Sequence, residues 1–184
     1  GINVGGQSAP AFVDLDDDGD LDLVVGADDG TLHSYDNTGA GYAELIGAAN
    51  PFAGIDVVDQ SAPSFVDLDA DGDLDLVVGA RDGTLRSYRN TGTGYAEMIG
   101  AANPFNGMDI GAASAPSFVD IRGTGRIDLV VGETYGKLHP FSNTGTAYLE
   151  LTGGSNPFDG LKVARASKAV FVDLDADDDL DRVV

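Results

Sequence analysis

An all-β chain of tandem four-stranded antiparallel blades, of β-propeller type, is what this sequence predicts, and three observations carry the prediction. The chain repeats itself every 53 residues, and short apolar runs alternate with turn residues inside each unit. One run per unit is continuously apolar, as in a strand covered on both faces.

The period is read from Ser8, Ser61, Ser114 and Ser167, each of which opens the same phrase. Residues 8–60 and 61–113 align without a gap and are mostly identical. Residues 114–166 diverge further, and residues 167–184 hold only the start of a fourth unit. Residues 1–7 (GINVGGQ) match residues 54–60 (GIDVVDQ), so the chain opens on the tail of a preceding unit. The expected organisation is one continuous array with about three complete repeats and a partial repeat at each end, an excerpt of something longer.

Each element follows from local chemistry. In the second unit Ser64 to Asp67 leads into an acidic loop and Leu74 to Gly79 leaves it. Arg81-Asp82-Gly83 turns the chain into Thr84 to Arg89, and Asn90-Thr91-Gly92 turns it again toward Tyr95 to Ile99. Asn-Pro-Phe-x-Gly, as at Asn103 to Gly107, then breaks the chain before the next unit. Gly, Asn, Asp and Pro supply the backbone angles of turns, with β-branched and aromatic residues between them. Leu76-Val77-Val78 is apolar without alternation, and Leu85 and Tyr88 project to opposite faces. Both faces of the inner strands are therefore expected to be covered, as in a blade between neighbours. Propellers need about four to eight blades, so three complete units require further blades, further copies of the chain, or open stacking.

Composition narrows the function classes. With 42% hydrophobic residues the chain can build a core, and a net charge of −21 argues against nucleic acid or an anionic membrane as partner. There is no cysteine, so disulfides play no part, and no apolar run reaches the roughly 18 residues of a membrane-spanning helix.

Much of the charge sits in one loop per unit. Asp14, Asp16, Asp18, Asp20 and Asp22 surround Gly19, and Asp67, Asp69, Asp71, Asp73 and Asp75 surround Gly72. Asp173, Asp175, Asp177, Asp179 and Asp181 occupy the same phase of the fourth unit, with Asp178 at the turn position. Carboxylates packed this closely repel unless a hard cation sits among them, and oxygens on alternate residues around a tight turn suit calcium. Side chains one, three and five of the loop point inward, residue seven offers its carbonyl and residue nine closes the shell. Leu15, Leu21 and Leu23 are expected to anchor the loop on the core. An EF-hand would need a bidentate Glu at position twelve, where this chain has Val25 and Val78, and helices on both sides.

The segment SAPSFVDLDADGDLDLVVGARDGTLRSYRNTG resembles FG-GAP-like repeats, also called VCBS-type repeats, which are related to integrin α-subunit propeller blades. The resemblance implies a four-stranded blade with calcium between its first and second strands. The implied ligands are Asp14, Asp16, Asp18, the Asp20 carbonyl and Asp22, and their counterparts in the second and fourth units, making three calcium sites. It also implies a protein of the bacterial surface or secreted proteome.

The third unit departs from the pattern. Its loop keeps Asp120 and Asp128 but has Arg122 and Thr124 in place of the inner acids and Arg126 at position seven. It is read as metal-free, with the Arg122 guanidinium in the ion's place.

No catalytic constellation emerges, and the chain is read as a non-enzyme. His33 and His139 share a repeat position with Arg86, an expected exposed strand slot, and Glu44, Glu97 and Glu150 recur as solvent-facing residues. Tyr35, Tyr88 and Phe141 are expected between blades. Repeat differences gather at the end of the blade away from the acidic loop, at Asp28-Asp29, Arg81-Asp82 and Thr134-Tyr135 and in the connector to the next unit, and two readings stand equally: a scaffold diversifying a binding face for a protein or carbohydrate, or loops that tolerate change. The expected function is that of a calcium-stabilised extracellular or cell-surface repeat module with a structural or adhesive role. A subunit of a stacked surface fibre and the non-catalytic propeller part of a secreted polysaccharide-degrading enzyme are the alternatives.

Overall fold

A computed structural model describes residues 1–161, 168–172 and 181–183, the last three and residue 172 by backbone alone. Three four-stranded antiparallel sheets follow one another along the chain. The first is β1 (Ala9–Val13), β2 (Asp22–Gly26), β3 (Leu32–Asn37) and β4 (Tyr42–Leu45), paired in sequence order. The second is β5 (Ala62–Val66), β6 (Asp75–Gly79), β7 (Leu85–Asn90) and β8 (Tyr95–Met98). The third is β9 (Ala115–Val119), β10 (Asp128–Gly132), β11 (Leu138–Asn143) and β12 (Tyr148–Glu150). β13 (Val170–Val172) and β14 (Asp181–Val183) pair in the fourth unit. The registers repeat: Phe65 opposes Leu76 and Leu76 opposes Tyr88, as Phe12 opposes Leu23 and Leu23 opposes Tyr35.

The continuous apolar runs are buried on both faces. Every residue of β6 and β10 is buried, because successive sheets pack face to face and alternate side chains enter opposite seams. The first seam joins Val13, Val24, Leu32, Phe52 and Val57 to Leu76, Val78 and Tyr88 of the next repeat. The second joins Val66, Val77, Leu85, Phe105 and Ile110 to Leu129, Val131 and Phe141. Tyr88 and Phe141 lie in these seams, as the sequence predicts, whereas Tyr35 is buried but belongs to neither.

The Asn-Pro-Phe-x-Gly segment does more than break the chain. A single 3-10 turn, Gly47–Ala49 in the first repeat and Gly100–Ala102 in the second, leads into it. Asn50 then donates from Nδ2 to the Leu32 carbonyl and accepts the Phe52 N–H at Oδ1, and Asn103 treats Leu85 and Phe105 alike. This aims Phe52 and Phe105 into the seams, where each is 1% exposed.

Adjoining repeats are also tied by their opening serine. Buried Ser61 accepts the Ala27 N–H (2.9 Å) and donates to the Thr31 carbonyl (2.7 Å), and Ser114 repeats this with Ala80 and Thr84. The approach is so close that a Cβ on Gly26 or Gly79 would lie 2.0 Å from the serine carbonyl oxygen, which explains glycine there. At the opening of the fourth unit Lys168 Nζ donates to the carbonyls of Pro10 in β1 (3.1 Å) and Pro63 in β5 (3.4 Å). Ser117 of β9 bonds the Ala169 carbonyl. The first strands of the three sheets and the start of the fourth unit thus meet at one place, and burial there holds the Lys168 pKa below its usual value.

Candidate metal centre

In the first two repeats the loop after the first strand turns three carboxylates toward a common point. Asp14, Asp16 and Asp18 each offer an oxygen within 4.8 Å of the others, and Asp67, Asp69 and Asp71 do the same. The loop's own backbone holds them. Gly19 N–H donates to Asp14 Oδ2 (3.0 Å) and Asp20 N–H to Asp18 Oδ1 (2.8 Å), while Gly72 and Asp73 donate equivalently to Asp67 and Asp71. Gly19 and Gly72 have φ of 92° and 98°, the left-handed turn expected of them.

Two residues earlier a second left-handed position is filled without glycine, by Asp17 (φ 60°) and Ala70 (φ 63°). A left-handed alanine costs about 1–2 kcal/mol, strain of the kind found where a backbone must aim functional groups. Ala70→Gly is therefore expected to stabilise the metal-free chain by roughly 0.5 kcal/mol, the relief outweighing the entropy glycine adds to the unfolded state. The midpoint of urea unfolding reads it, and a lower midpoint would remove strain from the account.

The ninth aspartate staples the loop to the sheet. Asp22 is buried; its Oδ2 accepts the Leu15 N–H (2.8 Å) and its Oδ1 the Asn37 N–H (2.7 Å). Asp75 does the same with Leu68 (3.0 Å) and Asn90 (2.8 Å). The acidic loop is thereby fixed to the Asn-Thr-Gly turn at the end of the third strand. Leu15 and Leu68 pack against the seams. Leu21 and its counterpart Leu74 do not: their side chains are exposed, while their carbonyls accept from Asn37 and Tyr42 and from Asn90 and Tyr95. Asp36 was not signalled by the sequence: it lies in β3, yet offers an oxygen within 4.8 Å of Asp16 and Asp22.

Electrostatics mark the same points. Asp16 is pushed above the usual aspartate range by loss of water and by the charge of Asp18. Asp75 is raised by burial, with the charges of Asp69 and Asp71 adding and the N–H groups of Asn90 and Leu68 opposing. Asp14 Oδ1 is buried with no hydrogen-bond partner. An orphaned carboxylate oxygen beside two more carboxylates, with only oxygen donors at hand, fits a hard cation such as calcium and gives a soft metal nothing to bind.

The third loop is organised by arginine. Arg122 donates from Nε to Asp128 Oδ2 (3.1 Å) and from Nη2 to Asp128 Oδ1 (3.0 Å), and Nη2 also reaches the Asn143 carbonyl (3.3 Å). Asp128 is completely buried, and this two-point pairing raises the Arg122 pKa. The guanidinium was expected between both aspartates, but its hydrogen bonds go to Asp128. Asp120 is served by the backbone N–H groups of Thr124 (3.0 Å) and Gly125 and is held below the usual range by them. Arg126, at the seventh position, donates to the Thr144 carbonyl (3.1 Å). Arg122→Ala should lower the melting temperature by a few degrees to the same extent with calcium and with chelator, since a buried carboxylate loses its charge partner. A loss confined to calcium-loaded protein would mean that this loop holds an ion.

Asp173, Asp175, Asp177, Asp178 and Asp179 lie outside the described residues, and Asp181 contributes only its place in β14.

His139 differs from its expected exposed slot. Its side chain is 14% exposed, with Nδ1 3.0 Å from Glu150 and Nε2 4.0 Å from Glu133, because Glu133 replaces the small Ala27 and Ala80 of the other repeats. His33 is more open and meets Glu44 at 3.3 Å. The variable residues at the far end of the sheets pair with each other. Arg81 bonds Asp59 (2.9 Å), Gln7 bonds Asp28 (3.2 Å) and Thr134 bonds the Ala112 carbonyl (2.9 Å). Their variation therefore follows the joint between turn and connector as much as any outside ligand.

Fold and loops together define a tandem β-sheet repeat protein with an acidic, cation-suited loop between the first two strands of a unit. The sequence profile of the FG-GAP-like repeat matches residues 14–78 and 67–131, two windows offset by the 53-residue period. The chain belongs to the FG-GAP-like repeat family. Comparison with curated proteins and with solved structures gave no match. Among the described residues no helix is long and apolar enough to cross a membrane.

Proposed function

We propose that this chain is a calcium-stabilised, non-catalytic repeat module of an extracellular or cell-surface protein, with a structural or adhesive role and propeller-type stacking of its blades. The observation that carries the calcium reading is the in-phase pair of carboxylate clusters, Asp14/Asp16/Asp18 and Asp67/Asp69/Asp71, one of them containing an orphaned buried oxygen. When bound, the ion supplies positive charge and oxygen coordination. The chain's own residues do the rest: Gly19 and Gly72 bend the loop, backbone N–H groups orient Asp14, Asp18, Asp67 and Asp71, and Asp22 and Asp75 fix the loop to the next turn. In the third repeat Arg122 supplies the positive charge from within. The meeting of the first strands at Lys168 supports blades arranged about a common axis.

Calorimetric titration of the metal-stripped chain tests this. Calcium should bind with a Kd in the extracellular range of about 10⁻⁴ to 10⁻³ M or tighter, and magnesium, which resists shedding its water, more weakly. Asp14→Asn with Asp16→Asn should remove one site and leave the second repeat's. No heat from calcium at millimolar concentration would overturn the reading.

A further inference from the structure

We infer that Asp36, a residue outside the acidic loop, is a further calcium ligand of the first repeat and makes its site tighter than that of the second, so that the two loops fill in order as calcium rises. The inference rests on the calcium reading and concerns how the loops divide the ion between them.

Asp36 reaches the loop from another strand. The loop supplies its carboxylates from residues 14–22, on the connection from β1 to β2, whereas Asp36 lies in β3 and opposes Ala43 of β4. It nevertheless offers an oxygen within 4.8 Å of Asp16 and Asp22. Asp16 also converges with Asp14 and Asp18, so the two sets share a carboxylate. Asp14, Asp16, Asp18, Asp22 and Asp36 thus form one continuous acidic group.

The second repeat carries the opposite charge at this place. Arg89 of β7 opposes Ala96 just as Asp36 opposes Ala43, so its Cα–Cβ bond leaves the sheet on the same side. An exposed arginine stands where the first repeat has a carboxylate. In the third repeat the position is Ser142, beside a loop that already holds the Arg122 guanidinium. Calcium affinity follows the charge count and the rigidity of the ligand set, and exchanging aspartate for arginine changes the local charge by two. The first loop gains an acid and the second gains a competing cation.

The leading aspartate of each loop gives an independent indication. Asp14 Oδ1 is buried with no hydrogen-bond partner, while its Oδ2 accepts the Gly19 N–H. Asp67 has both oxygens engaged, Oδ2 by the Gly72 N–H (3.1 Å) and Oδ1 by the Ala70 N–H (2.7 Å). A buried carboxylate oxygen without a donor is costly until a cation serves it. An ion drawing on Asp67 Oδ1 must share it with the Ala70 N–H, whereas at Asp14 it meets an oxygen with no other claim on it. Both differences favour the first loop. Between the two midpoints the chain therefore holds calcium in the first repeat ahead of the second, and the module answers calcium over a wider range of concentration than two equal sites would.

The test is a calcium titration of the metal-stripped full chain followed by NMR, with the amide resonances of Gly19 and Gly72 reporting the two loops separately. Gly19 should reach its midpoint at a calcium concentration about tenfold below that of Gly72. Asp36→Asn should raise the Gly19 midpoint about fivefold and leave that of Gly72 in place. Arg89→Asp should lower the Gly72 midpoint toward that of Gly19. Coincident midpoints in the parent chain, or Gly72 responding first, would overturn the order of filling. An Asp36→Asn chain whose Gly19 midpoint is unmoved, or whose two midpoints move by the same factor, would overturn the role of Asp36 as a ligand. Should the asparagine variant fail to fold, Asp36→Ser, which installs the residue of the third repeat, is titrated in its place with the same outcomes. Silence of both amides at millimolar calcium refutes the calcium reading and this inference with it, whereas a response of both at one concentration refutes this inference alone.

Discussion

Removing calcium should lower the melting temperature of this chain by roughly 10 to 20 °C. A ligand that binds only the folded state contributes about 2.7 kcal/mol per site at 100 times its Kd. Two described clusters act together, and each kcal/mol moves the midpoint of a chain of this size by about 2–4 °C. Scanning calorimetry in excess calcium and then in chelator measures the shift, and superimposable curves would refute it. The shift should shrink as the solution is acidified toward the ordinary aspartate value of about 3.9. Calcium needs carboxylates without protons. Asp16 and Asp75 have pKa values raised in the metal-free fold, so the folded state binds their protons more tightly than the unfolded state. Their contribution to metal-free stability therefore grows as pH falls through that range, while the loaded form loses its ion. The two melting curves converge from opposite directions, beginning above the usual aspartate range.

Much of this was legible in the sequence because the chain states it three times. The period, the strand order, the burial of Val77 and Tyr88 and the placing of the acidic loop all follow from phase and residue type. What escaped was whatever one repeat holds alone or whatever depends on pairing across strands. Asp36 joins the first cluster only because β3 lies beside β2, and Arg89 and Ser142 stand at its phase in the other repeats, so periodicity conceals it. His139 is enclosed because a single alanine became Glu133. Asp17 and Ala70 adopt a backbone that composition would assign to glycine. The Asn-Pro-Phe-x-Gly phrase was read as punctuation. Its phenylalanine, at the same phase in all three units, was the signal that it is also core.

The seam built by that phenylalanine should be the other costly place to cut. Phe105 is 1% exposed and meets two rings of the next repeat, and truncating a buried phenylalanine costs about 3–5 kcal/mol. That is a large share of the roughly 5–15 kcal/mol that holds a typical domain folded. Phe105→Ala is expected to lower the melting temperature by roughly 10 °C or more. The loss should also change the shape of the transition. In a repeat array stability is a sum of unit terms and nearest-neighbour interfaces, and Phe105 belongs to the interface between the second and third repeats. Weakening that interface uncouples the third repeat, whose Arg122–Asp128 pair holds its loop by a direct ion pair, from the first two, whose loops carry the calcium-suited clusters. Calorimetry of the variant should therefore show two transitions, of which only the one belonging to the first two repeats moves with calcium. A single transition, shifted as a whole by calcium to the same degree as in the parent chain, would mean that the repeats remain one cooperative unit without this ring and that the interface resides elsewhere.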